Sequence, residues 1–221
     1  MKYNKLIIST IVLVLIFTAC RREWLTTEED MANYGWTLYE QASTKQEYIE
    51  CYEWFSNSVR EDENYQDGYN GLGWSFGKLV DPDSAVQAFD VGLTKPQNPR
   101  MLDIVAHDIL AGLTFARSAL KQDSSAVAYG DSLIRLLEQQ IGDKTWTFPH
   151  DSTTNYLDVH VTLALSYFAL SDFTESLEHV QAIKTALNPA SPPYVVDTNT
   201  VRGRRQLAAE IEFLQNYLQG R

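Results

Sequence analysis

Cys51, Phe55 and Ser58 recur 34 residues further on as Ala85, Phe89 and Gly92, and this recurrence constrains the chain more than any other feature. In each set a small residue stands one helical turn before a phenylalanine, and a second small residue follows three positions later. Two helices approach closely only where side chains are small, and a large ring one turn away fills the neighbouring groove. A repeat of this length signals stacked helical units, since one unit alone cannot bury its apolar face. Apolar spacings of three and four run throughout, whereas the period-two alternation of half-buried strands is nearly absent. The pattern predicts helices near 27–43, 46–61, 67–79, 83–94, 99–121, 124–140, 156–170, 173–187 and 203–219. Asp81-Pro82-Asp83 starts one of them with an acidic cap and a proline whose missing N–H costs nothing there. Asn188-Pro189 and Ser191-Pro192-Pro193 end another.

The stretch Tyr69-Asn70-Gly71-Leu72-Gly73-Trp74-Ser75-Phe76, followed by Ala85 and Phe89, resembles the signature of the tetratricopeptide repeat (TPR), whose unit is 34 residues long. Val161 to Ile183 repeats the design with Leu163-Ala164, Tyr167, Ser171-Asp172-Phe173 and Ser176, although Val180 stands where an aromatic is usual. A first, looser unit runs from Met31 through Tyr34, Gly35 and Leu38 to Cys51, with about four extra residues around Thr44–Glu47. A third runs from Leu110 to Leu137, with small residues Ala111, Gly112, Ala126 and Ala128 but no aromatic at the expected place in its second helix. The resemblance implies an all-α fold: a right-handed α-α superhelix of about four TPR-like helical hairpins plus a C-terminal capping helix, over 28–221. Gly35, Cys51, Phe55, Gly73, Ala85, Phe89, Gly92, Ala164 and Ser176 would be its packing points. The capping helix follows from Leu207, Ile211, Leu214 and Leu218 on one face and charged residues elsewhere, as the end of a repeat stack requires.

The first twenty residues carry a different message. Lys2 and Lys5 precede the apolar run Leu6 to Phe17, which is shorter than the roughly 20 residues that span a bilayer and has the length of a secretory signal core. Thr18-Ala19-Cys20 resembles the lipobox of bacterial lipoproteins, with Phe17 where leucine is usual. The resemblance implies a signal peptide over 1–19, lipidation of Cys20, and a tether over 20–27. Arg21-Arg22 lacks the aspartate that holds many such proteins in the inner membrane, so the expected place is the outer membrane, on its periplasmic or surface face. Only Cys20 and Cys51 exist, so acylation of Cys20 leaves Cys51 as a small buried hydrophobe rather than half of a disulfide. The formal net charge of −11 argues against nucleic acid as a partner.

Gly71-Leu72-Gly73 with Gly77-Lys78 imitates a phosphate cradle, but the spacing is wrong and the segment is helical, so its N–H groups are committed. His107, His150, His160 and His179 show no spacing that enforces a metal site, although Asp158, His160 and His179 could meet across one hairpin. The run Glu47 to Asp67 holds seven acids against Arg60 alone and reads as a solvated face. No nucleophile–base pair is discernible, so neither an enzyme nor a cofactor is expected. Gly142 to Asn155, with Trp146-Thr147-Phe148-Pro149-His150-Asp151, is a long connection whose aromatics are expected to plug a hydrophobic seam.

In TPR proteins the first helix of each unit lines a concave groove that receives a partner segment. The resemblance places Trp36 and Tyr39, then Asn70, Trp74 and Lys78, then Leu113 and Arg117, then Val161, Leu165 and Phe168 on that groove. The function it implies is a membrane-tethered scaffold of the bacterial cell envelope that binds other envelope proteins. The alternative is a small-molecule or glycan receptor using Trp36, Trp74, Trp146 and Phe148.

Overall fold

The structure is a computed structural model that describes residues 26–97, 105–139, 145–190 and 192–220. The segments expected to be a signal peptide (1–19) and, for the most part, a tether (20–27), with the expected lipidation site Cys20, lie outside the described residues. The described chain forms α1 (Glu28–Tyr39), α2 (Lys45–Glu61), α3 (Gln66–Lys78), α4 (Pro82–Leu93), α5 (Val105–Ala119), α6 (Asp123–Gln139), α7 (Tyr156–Ala169), α8 (Phe173–Leu187) and α9 (Val201–Gln219). Consecutive helices pair as four hairpins, each leaning on the next, and α9 closes the stack against α7 and α8. This is a TPR-like, all-helical superhelix. No described helix is long and apolar enough to cross a membrane.

Local sequence sets the helix ends. Thr27 and Thr44 each accept from the backbone three residues on, while Asp30 and Glu47 reach back to the cap N–H, so two orphan donors are satisfied reciprocally. Three of the four hairpins then turn in the same way. Val80, Lys121 and Ser171 each stand seven residues after a small contact residue (Gly73, Thr114, Ala164) and each adopts positive φ, at 61°, 58° and 67°. At each turn the following N–H reaches five residues back: Asp81 to Phe76 O, Gln122 to Arg117 O, and Asp172 to Tyr167 O. This is the Schellman closure, made here without glycine. Five residues, 40–44, join α1 to α2 instead, so Gly35 and Cys51 lie sixteen apart where Gly73 and Ala85 lie twelve apart.

Packing follows the small residues. Phe55 lies between Gly35 and Gly71, where an added Cβ would meet its ring at 2.9 Å and 2.2 Å. Phe89 is held likewise between Gly73 and Gly112, at 2.4 Å and 2.2 Å. Cys51, Ala85, Ala164 and Ser176 are buried at the matching hairpin contacts. Ser176 stays satisfied there by donating to Ala164 O at 2.7 Å. In the third hairpin the partners exchange size: Gly130 occupies the phenylalanine place of α6 and Leu163 of α7 fills it, 2.6 Å from a Cβ built there. Burial pushes the free Cys51 thiol up to about 11, so it is an inert apolar group.

Candidate interaction trough

Each first helix carries one large apolar residue directly after its small contact residue: Trp36 after Gly35, Trp74 after Gly73, Phe115 after Thr114, Leu165 after Ala164. One residue on is about 100° round the helix, so this column borders the trough that runs along α1, α3, α5 and α7. The half of the trough along α1 and α3 is filled by the chain's own segment 145–155. Phe148, fully buried, stacks on Trp74 with ring centres 4.0 Å apart and meets Trp36 edge-on at 5.8 Å. The His150 ring lies flat on Trp36 at 3.8 Å. The segment folds back on itself through Phe148 N to Thr154 O and Tyr156 N to Trp146 O.

Polar groups fix its position. Trp146 Nε1 donates to Asp108 at 2.8 Å, and Trp36 Nε1 donates to Asp67 at 2.7 Å. Both carboxylates stand in the first turn of a first helix, where unpaired N–H groups favour negative charge. At the rim, His150 Nδ1 lies 2.9 Å from Glu40, and Lys78 Nζ pairs with Asp151 at 3.0 Å. Burial alone would raise Asp151, but the Thr153 hydroxyl and the Lys78 ammonium outweigh it and hold the carboxyl below its ordinary value. Burial raises the Tyr39 hydroxyl strongly, keeping it neutral, and among the described residues its oxygen has no hydrogen-bond partner.

The magnitude decides whether this segment can yield to a partner. Trp146 is 5% exposed and Phe148 is fully buried. At about 25 cal/mol per Å² and roughly 150–250 Å² per aromatic side chain, the two contribute on the order of 10 kcal/mol as an upper bound. A micromolar partner offers about 8 kcal/mol in total. The two figures are of the same order, and the polar anchors of Trp146 on Asp108 and Asp151 on Lys78 add to the first, so segment 145–155 reads as a wall of the trough rather than a lid.

The expected groove residues separate accordingly. Trp36 and Trp74 hold the internal segment rather than facing an open trough, whereas Tyr39 and Lys78 touch that segment and also line an open polar cleft with His150 and Asp151. Asn70 is fully buried and braces Asp67 at 3.1 Å. Leu113 is fully buried core. Arg117 points to the neighbouring helices, pairing with Asp90 at 2.6 Å and Gln122 at 2.7 Å. The physical reason for both is register: Thr114, twelve residues before Ala126, takes the place of Gly73, so Arg117 falls where Phe76 and Tyr167 fill their hairpins. Thr114 is tolerated at the contact because its hydroxyl bonds within its own helix, to Leu110 O at 2.8 Å. Phe168 packs edge-on against Phe173 at 5.1 Å.

Beyond the polar cleft of about 480 Å³ that Tyr39, Tyr48, Lys78, His150 and Asp151 line at the rim, a pair of clefts is open further along the stack. One, about 220 Å³ and almost wholly apolar, lies between α3, α4 and α5, lined by Trp74, Gly77, Val80, Phe89, Phe115 and Ala119 among others. The second, about 260 Å³, lies between α5 and α7 with Gln215 of α9 at its edge, lined by Phe115, Ala119, Lys121, Val161 and Leu165. They share Phe115 and Ala119, so they form one continuous surface. Phe115 and Ala119 escaped the sequence reading because the third unit's register was misplaced. Counting from Thr114 and Ala126 finds Phe115 directly.

Among the described residues no group of three or more His, Cys, Asp or Glu could hold a metal ion. His160 and His179 do meet, Nδ1 to Nδ1 at 2.9 Å, and His179 Nε2 lies 3.9 Å from Asp131 of α6. Burial, and for His160 also the His179 charge, keeps both rings neutral down to about 4.

No family model and no curated protein matches the sequence. Among solved structures, MamA residues 41-end from Desulfovibrio magneticus RS-1 is similar with TM-score 0.51 and 15% identity, over 87% of this chain and 97% of that one. A second structure, titled as the crystal structure of MamA, gives TM-score 0.48 and 12% identity, over 80% of this chain and 94% of that one. The likeness to the first is one of fold: this chain is a TPR-like stack of helical hairpins.

Proposed function

We propose that the chain is a membrane-tethered protein-interaction scaffold of the bacterial cell envelope. Its partner would engage the paired apolar clefts around Phe115 and Ala119. The observation that carries this reading is the trough itself, half of which already holds a folded-back aromatic segment against Trp36 and Trp74. A surface that accepts an aromatic-bearing segment of chain in one half is suited to accept another in its open half. Export and anchoring rest on Lys2, Lys5, the run Leu6 to Phe17 and the Thr18-Ala19-Cys20 sequence. Similarity of fold alone does not fix function.

A glycan receptor is disfavoured by the same geometry. Trp36, Trp74, Trp146 and Phe148 are buried to 3%, 9%, 5% and 0% exposure and lie against one another and His150, and the one open cleft that Trp74 borders is almost wholly apolar, without the polar groups that a sugar's hydroxyls need.

The test is capture of envelope proteins in cells by a photo-crosslinker placed at residue 119, which is exposed. A discrete protein adduct that is lost on Leu165→Glu supports the reading. Adducts that form equally well with Leu165→Glu, or that form only from exposed Ser152 on the internal segment, would sink it.

A further inference from the structure

The outward face of α9 carries a second surface. Its inner face, Leu207, Ile211, Leu214 and Leu218, is buried against α7 and α8. Directly opposite, Arg202, Gln206, Ala209, Phe213, Asn216 and Gly220 follow one another at alternating steps of four and three, the spacing of a two-helix seam. Phe213 is 60% exposed and Tyr217 49%, and their rings stack with centres 6.3 Å apart. No other described helix lies against this face. Two large exposed aromatics stacked on one helix are unusual on a free surface and mark an interaction site.

We propose that a second copy of this chain docks here, α9 antiparallel to α9, as a two-fold dimer. Charge argues for that occupant. The chain carries 29 acids against 18 bases, so two copies repel over most of their surface. Along α9 the signs divide instead: exposed Arg202 and Arg205 lie in its first half and exposed Glu212 in its second. None of the three has an ion-pair partner among the described residues. Arg205 and Glu212 flank the seam on the same side, one heptad apart, and in an antiparallel pair like flanks face each other. Arg205 of each copy then meets Glu212 of the other, twice by symmetry. In the same register Phe213 packs under the guanidinium of the second copy's Arg202, a cation–π contact. Ala209, the smallest side chain at the middle of the seam, sits opposite Gln206 of the second copy and lets the two backbones approach. One helix on one helix is a small interface, so the association is weak, with a dissociation constant on the order of 10 μM.

Sedimentation velocity of the full chain in a neutral non-ionic detergent, over a concentration series, reads this directly. Every variant keeps the same N-terminal segment, so only changes that follow α9 count. The wild type should pass from monomer to dimer with concentration. Arg205→Glu and Glu212→Arg should each weaken the dimer at least tenfold, and the double exchange should restore it. Phe213→Ala should weaken it without altering the thermal melt. A wild type that stays monomeric at about 50-fold above the expected constant would overturn the proposal. So would a dimer indifferent to the single reversals, or a double exchange that fails to recover it.

Discussion

Substituting alanine for three glycines separates close helix approach from helix propensity. A Cβ at Gly112 would lie 2.2 Å from the Phe89 ring, and one at Gly73 would lie 2.4 Å from the other side of the same ring. Carbon atoms in contact sit roughly 3.5–4.0 Å apart, so either alanine intrudes by more than 1 Å. Phe89 is 2% exposed and the opposite glycine already touches its ring, so it has nowhere to retreat. Overpacking of this kind costs about 1–3 kcal/mol and sometimes more, and here both the ring and the helix spacing are constrained. Gly112→Ala and Gly73→Ala should therefore each destabilise by about 3 kcal/mol or more, near the upper end of that range. Gly77, four residues beyond Gly73 in the same helix, meets nothing within 4 Å. Gly77→Ala should stabilise by about 0.5–1 kcal/mol through helix propensity alone. Urea melts of all three variants give the free energies, and Phe89→Leu combined with Gly112→Ala forms a double-mutant cycle. Favourable coupling of at least about 1 kcal/mol is expected, because the smaller side chain opens room for the new methyl. If Gly112→Ala were neutral, or if its cost were unchanged by Phe89→Leu, the close-approach account of the stack would be refuted.

Val80, a β-branched residue 86% exposed at φ 61°, is strained at its turn; Val80→Gly should stabilise by about 1 kcal/mol, raising the melting temperature by roughly 2–4 °C. Phe148→Ala should destabilise by about 3–5 kcal/mol, whereas His150→Ala, at the solvent rim, should cost far less; chemical denaturation compares them. His160 and His179 are held at about 4 by burial, below the ordinary 6.5. Between these values the unfolded chain binds protons that the folded chain does not. Their contribution to stability is thus complete above pH 6.5 and declines as pH falls towards 4, by up to about 1.4 kcal/mol per pH unit for each ring. Thermal melts at pH 7 and pH 4.5 should show this slope, and His160→Gln with His179→Gln should flatten it.

The helices were legible because small and large residues recur at fixed steps, and Gly73, Ala85 and Phe89 carry that code in side-chain size alone. The turns were only partly legible: positive φ at Val80, Lys121 and Ser171 has no glycine to announce it, and only the spacing from the contact residue reveals it. The trough was read one residue set too generously. Trp36 and Trp74 do stand on its wall, but a sequence does not say that Phe148, more than seventy residues past Trp74, lies between them. Arg117 and Leu113 were misplaced because Thr114 disguised the small position of the third hairpin, its bulk accommodated through a hydroxyl bond that composition cannot disclose. Asp131, which stands 3.9 Å from His179, comes from a neighbouring hairpin and has no sequence pattern linking it to that histidine.

Native-state hydrogen exchange at the Phe148 amide, which donates to Thr154 O, probes most directly whether segment 145–155 is a fixed wall of the trough. A fixed wall opens only with the whole fold, so this amide should exchange with a free energy within about 1 kcal/mol of core amides such as Ile109 and Leu163. Exchange through a local opening of a few kcal/mol, with those core amides still protected, would mean that the segment leaves the trough and that Trp36 and Trp74 are its true binding surface.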